Sequence, residues 1–125
     1  MEAEFPSDLR PMSTTTLYRP LGSNELALIE ASGWKAFPPR LPEQPIFYPV
    51  TNLAYARQIT KEWNVPAKGI GHVVRFAVDS AYLERFPVQN VGGAIHDELW
   101  VPAEELEEFN AHIVGVIELI ETYRG

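Results

Sequence analysis

Five prolines fall within the twelve residues from Pro38 to Pro49. Each removes a backbone donor and fixes φ, so no helix and no central strand can run through Phe37-Pro38-Pro39-Arg40-Leu41-Pro42. Most of the stretch from Trp34 to Pro49 is therefore predicted to be extended loop. Ile46 to Tyr48 is its one strand candidate, held between Pro45 and Pro49. Whatever fold forms must set its regular elements on either side of this segment.

Before the proline segment, β-branched and aromatic residues predict a strand over Thr14 to Tyr18, ended by Pro20 and Gly22. Ser23 then caps a helix through Ser32, with Leu26 and Ile29 on one face and Gly33 as its stop. After the prolines, Asn52 caps a helix over Leu53 to Trp63 that buries Leu53, Ala56, Ile59 and Trp63, followed by a turn region from Pro66 to Gly71. His72 to Val78 alternates as a strand, with Val74, Phe76 and Val78 on one face and Val73, Arg75 and Ala77 on the other.

Asp79 caps a helical turn reaching Phe86, and strands are expected at Val88 to Val91 and at Ile95 to Val101. Pro102 opens an acidic helix over Ala103 to Asn110. His112 to Tyr123 is rich in Ile and Val with Gly115 in its middle, which favours a bent strand over a helix. This order lacks regular β-α-β alternation. It predicts an α+β fold with a bent, mostly antiparallel sheet, helices early and sheet late.

A chain of 125 residues suits one domain, and 46% hydrophobic residues supply its core. Residues 1 to 13 show no periodicity and read as a flexible N-terminal arm, with Met12 a candidate start, before a single domain over residues 14 to 125. There is no cysteine, which excludes disulfides, thiolate metal sites and a cysteine nucleophile, and makes cytoplasm the default location. No stretch approaches the length of a membrane span or a signal peptide. The formal net charge of -7 argues against a nucleic-acid partner, although Arg19, Lys35 and Arg40 leave room for a local basic patch. The acidic run Glu104, Glu105, Glu107 and Glu108 reads as a solvated helix face or as a docking surface for a basic partner.

Three places carry candidate chemistry. Leu17-Tyr18-Arg19 sets a cation beside an aromatic ring at a strand end, fit either to hold a phosphate and stack a ring or simply to cap carbonyls. Phe47-Tyr48 either presents a ring at a fixed angle from its proline bracket or packs in the core. In Gly92-Gly93-Ala94-Ile95-His96-Asp97-Glu98-Leu99-Trp100, a flexible diglycine leads into a strand that puts His96, Glu98 and Trp100 on one face. A carboxylate beside an indole that excludes water and an imidazole that relays a proton is a site constellation, or else a sheet face with incidental polar residues. Asp97, on the more apolar face, is expected to pair with Arg75 or cap a neighbouring segment. His72, His96 and His112 lack metal-ligand spacing, so no metal is expected. No dinucleotide-binding glycine fingerprint, phosphate-binding loop or nucleophile elbow occurs.

Taken in order, Leu17-Tyr18-Arg19-Pro20, Phe37 to Pro42, Gln44 to Pro49, and Gly92-Gly93 followed by His96-x-Glu98-Leu99-Trp100-Val101-Pro102-Ala103-Glu104 resemble the small ADP-ribosyltransferase-like domains. The resemblance is closer still to short bacterial proteins labelled "ADP-ribosylation/crystallin J1", and it covers nearly the whole chain after Met12. It implies a split two-sheet fold with NAD⁺ in the cleft and a protein or other acceptor. It also implies that Arg19 anchors the cofactor, that Tyr48 touches the nicotinamide side, and that Glu98 is central to the chemistry. His96 stands where that family often selects the acceptor. Tyr48 and Tyr55 lie closer together than the paired tyrosines of the diphtheria-toxin-like branch, and Thr51 only loosely matches the Ser-Thr-Ser of the arginine-modifying branch. The candidate residues are thus Glu98 and His96 for catalysis and Tyr18, Arg19, Phe47 and Tyr48 for NAD⁺.

Overall fold

The computed structural model describes residues 13–125, so the expected N-terminal arm lies outside the described residues except for Ser13. In chain order the elements are β1 (Thr14–Leu21), α1 (Ser23–Ala31), β2 (Ile46–Phe47), α2 (Leu53–Ile59), α3 (Val65–Lys68), β3 (Ile70–Asp79), α4 (Ser80–Leu83), β4 (Val88–Asn90), β5 (Asp97–Leu99), β6 (Val101–Pro102), α5 (Leu106–Ala111) and β7 (Ile113–Arg124). The class is α+β. A three-stranded sheet in the order β1-β3-β7 is joined by two-stranded ladders, β2 with β6 and β4 with β5, and every pairing is antiparallel. Helices are not confined to the first half, since α5 precedes β7, nor is the sheet confined to the second, since β1 belongs to it.

The alternation of β3 places Val74, Phe76 and Val78 in the main core, with Leu17 and Leu21 of β1 and Ile29 of α1. Rings from distant segments meet there: Phe37 lies 4.8 Å from Phe76 and 4.9 Å from Phe47, and Phe47 lies 5.5 Å from Phe109 of α5. Val73 faces the other way, onto Val50 and Ala56 of α2, with Tyr18, Leu53, Tyr55 and Ile59 packed around them. The sheet is therefore covered on both faces. The proline segment is tied down by side chains and turns: Asn110 exchanges hydrogen bonds with the Phe37 backbone at 2.9 and 3.0 Å, and the Ala103 N–H donates to the Pro45 carbonyl.

Several expectations need correction. β1 runs through Pro20 to Leu21. The Tyr18 N–H donates away from β3 to Val50, so two residues later the proline nitrogen faces the same side, past the end of that partner, where no donor is required. Ser23 is the first helical residue, not the cap; Gly22 precedes α1 without a side-chain cap. Asn52 does cap α2, accepting from the Tyr55 N–H. Beyond it, a π turn over Thr60–Asn64 widens the helix and carries it into α3, so Pro66 lies within helix. The Thr60 hydroxyl donates to the Ala56 carbonyl within this irregular stretch. The extra residue rotates Trp63 outward to 69% exposure, away from the core assigned to it. The last strand is bent as expected, with Gly115 at φ +82° beside a register shift against β3.

His72 is buried on β3, its Nε2 3.0 Å from the Ser23 hydroxyl and its Nδ1 2.9 Å from the Thr122 hydroxyl. Burial, then the nearby Arg124 charge, pushes its pKa down. The unfolded chain, with an ordinary histidine near about 6.5, takes up the proton first, so stability is full above that pH and falls as pH drops below it. Thermal unfolding followed from about pH 7.5 to pH 5.5 should show a declining Tm that flattens in His72→Gln. Equal slopes in the two proteins would assign the decline to other groups.

Candidate functional site

The site forms where one residue joins two parts of the structure. Val50 pairs antiparallel with Tyr18 on one side and Glu98 on the other. Backbone bonds from Val50 to Tyr18, from Leu99 to Pro49 and from Thr51 to Asp97 lace the segment into place. The end of β1, the exit from the proline segment and β5 thus lie side by side, although they are far apart in sequence.

On β5, Glu98 is 9% exposed. The Tyr55 hydroxyl donates to its Oε2 at 2.9 Å and the Trp100 indole N–H donates to its Oε1 at 2.8 Å. Trp100 can do this because residues two apart on a strand share a face, and Tyr55 because the Asn52 cap sets the first turn of α2. Among the described residues Glu98 has no cationic partner. A carboxylate offers about four acceptor positions, so two remain for a ligand. Burial, reinforced by the bond to Glu98, pushes the Tyr55 pKa up to about 12, so its hydroxyl stays a donor at neutral pH.

Arg19, on the opposite face of β1 from Tyr18, meets Glu25 of α1 through two hydrogen bonds, at 2.6 and 2.9 Å, and donates to the Tyr48 carbonyl at 3.5 Å. Its guanidinium lies 4.6 Å from the centre of the Phe47 ring. Tyr48 is 42% exposed and meets Trp100 edge to face at 6.4 Å. A cavity of about 420 Å³ is lined by Arg19, Pro20, Tyr48, Val50, Ile59, Glu98 and Trp100. The structure therefore brings Arg19, Tyr48 and Glu98 to one cavity, with Trp100 beside them.

It does not bring the other three candidates there. Phe47 is fully buried among the phenylalanines, because the alternation that turns Tyr48 outward turns Phe47 inward; it supports Arg19 and has no surface for a ligand. Tyr18 packs in the second core around Val50. His96 closes the diglycine turn: the Gly93 N–H donates to its Nδ1 at 2.8 Å, so the proton resides on Nε2 and is donated to Gln58 Oε1 at 2.9 Å. A Cβ on Gly92 would stand 2.5 Å from that Nδ1, so the glycine is needed for close approach and the turn is closed. His96 reaches the site only indirectly, its ring 4.8 Å from Tyr55. Asp97 accepts from Asn90 Nδ2 at 2.8 Å, and Arg75 pairs with Glu118 instead.

Tyr55 and Ile59 escaped sequence reasoning as site residues: Ile59 reads as part of the buried face of the helix, and Tyr55 stands out only for its spacing from Tyr48. Glu25 escaped as well; its only signal was a lone acid in the first helical turn after Arg19. Among the described residues no three His, Asp or Glu side chains gather as a metal site would require, and no helix is long and apolar enough to cross a membrane. Searches of protein-family models, curated proteins and solved structures find nothing that matches this chain.

Proposed function

We propose that this chain has an ADP-ribosyltransferase-like split-sheet fold, binds NAD⁺ in the cavity between Arg19 and Glu98, and transfers ADP-ribose to an acceptor. One observation carries the reading: a buried carboxylate, held only by neutral donors, faces a cavity shared with a cation and two exposed aromatic rings. A volume of about 420 Å³ suits the nicotinamide-ribose end of the dinucleotide.

In the reaction, the bond between the ribose C1 and the nicotinamide nitrogen breaks. Its electron pair goes to the nitrogen, which becomes neutral, and positive charge develops on the ribose. Glu98, poor in counter-charge, stabilises that cation and accepts a hydrogen bond from a ribose hydroxyl. Tyr55 and Trp100 hold the carboxylate in one orientation. Tyr48 stacks against the pyridine, and Trp100, perpendicular to the Tyr48 ring, helps to exclude water. Arg19 neutralises phosphate or orients the ribose. An acceptor nucleophile then bonds to C1 and releases its proton. A protein side chain suits an acidic chain better than nucleic acid does.

One hydrogen bond already held by each Glu98 oxygen would also suit a module of this fold that binds a nucleotide without cleaving it. Nicotinamide release, measured with NAD⁺-dependent thermal stabilisation, separates the two. Both signals are expected from a transferase, whereas stabilisation without release, with water or candidate acceptor proteins present, favours the binding module. Absence of both signals removes NAD⁺ from the reading altogether.

A further inference from the structure

A second cavity, of about 530 Å³, has Glu25, Arg40 and Lys68 in its wall together with the apolar Leu28, Leu41 and Ile70. Its charges do not balance. Arg19 and Arg40 share one carboxylate: Arg19 takes Glu25 in a two-point ion pair, and Arg40 reaches the same group only at 4.0 Å. The Arg40 side chain is 12% exposed, and its Nε is buried with no hydrogen-bond partner. Burial and the Arg19 charge push the Arg40 pKa down, as expected of a cation short of an anion. Both guanidiniums lie over Phe47, at 4.6 and 5.9 Å, so a fully buried ring keeps them together.

A guanidinium held in a cleft with only a shared, distant carboxylate is costly unless something anionic completes its pairing. Counted together with Arg19 of the adjoining cavity, Arg40 and Lys68 against Glu25 leave two positive charges in excess, the charge a pyrophosphate diester neutralises. The unpaired N–H groups at the start of α1, which has no side-chain cap, favour the same ligand.

We infer that the cavity beside Arg40 seats a diphosphate group, and that Glu25 holds Arg19 and Arg40 in place as a partial stand-in for it. Arg19 lines the first cavity and Glu25 and Arg40 the second, so the two meet at this charge cluster. A dinucleotide with its nicotinamide end by Glu98 would direct its diphosphate here. The inference rests on the NAD⁺ reading for the ligand's identity but not for its own test, which uses inorganic pyrophosphate.

Titration calorimetry of the 125-residue protein with pyrophosphate should give saturable binding. Arg40→Gln should weaken it about tenfold or more, and Lys68→Gln should weaken it less. Because Arg40→Gln removes an unbalanced buried charge, the Tm of the free protein should be unchanged or higher, so lost binding cannot be ascribed to lost fold. The inference is overturned if Arg40→Gln leaves affinity within about twofold, if wild type does not bind pyrophosphate at millimolar concentration, or if orthophosphate binds as tightly. An Arg40-dependent pyrophosphate site in a protein that never cleaves NAD⁺ would remove the transferase reading alone. NAD⁺ cleavage with an unchanged KM in Arg40→Gln would remove only the diphosphate site.

Discussion

Glu98→Gln should lower nicotinamide release by about 10²- to 10³-fold while NAD⁺ still raises the Tm. Glutamine keeps the shape of the side chain and an oxygen for the Tyr55 hydroxyl, but it removes the charge that opposes a developing ribose cation. The Trp100 N–H loses its carboxylate partner; since Trp100 is 43% exposed, water can replace it, and the fold should survive. Tyr55→Phe is the informative companion. It retains the ring against His96 and removes one donor from Glu98, so it should cost about tenfold through positioning alone. Since burial and the bond to Glu98 push the Tyr55 pKa up to about 12, the wild-type pH profile should show no loss from its ionisation near neutrality. Release by Glu98→Gln within about threefold of wild type would remove the carboxylate from the chemistry.

The largest stability effect is expected at Phe47. Truncation to alanine removes a fully buried ring that touches Phe37 and Phe109 and underlies both guanidiniums. Loss of a buried phenylalanine typically costs about 3–5 kcal/mol, a large part of the about 5–15 kcal/mol that holds a domain together. Urea denaturation should show a midpoint well below that of wild type with little change in slope. A cost under about 1 kcal/mol would mean that the neighbouring rings collapse into the space. Phe47→Leu, with a smaller cavity, should unfold later than the alanine variant and still bind pyrophosphate less tightly, because the flat platform under Arg19 and Arg40 is gone.

These two residues also show what was legible in the sequence. Alternation in β3, the Asn52 cap and the bend at Gly115 are local signals, and each element lies where its residues place it. Arg19, Tyr48 and Glu98 could be singled out by residue type and by resemblance, but their meeting depends on Val50, whose two partners lie 32 and 48 positions away along the numbering. Phe47 and Tyr48 could not be told apart by composition; a strand of two residues decides which ring is buried. Trp63 was misread because a helical period was continued through a π turn, which leaves no strong pattern in the residues Thr60 to Asn64. Strand alternation places His96 beside Glu98, but its ring instead closes the diglycine turn, a contact set by loop geometry that alternation does not register.

The place of Val50 between two strands has a further consequence for how such a chain can vary. Connections usually tolerate insertion and deletion, and a proline-rich one without helix or long strand would be expected to tolerate them most. Here one added or lost residue between Pro45 and Val50 would exchange the sides on which successive residues point, bringing Phe47 toward the cavity and Tyr48 into the aromatic core. The connection that looks most irregular is thereby held to a fixed length, as a strand is.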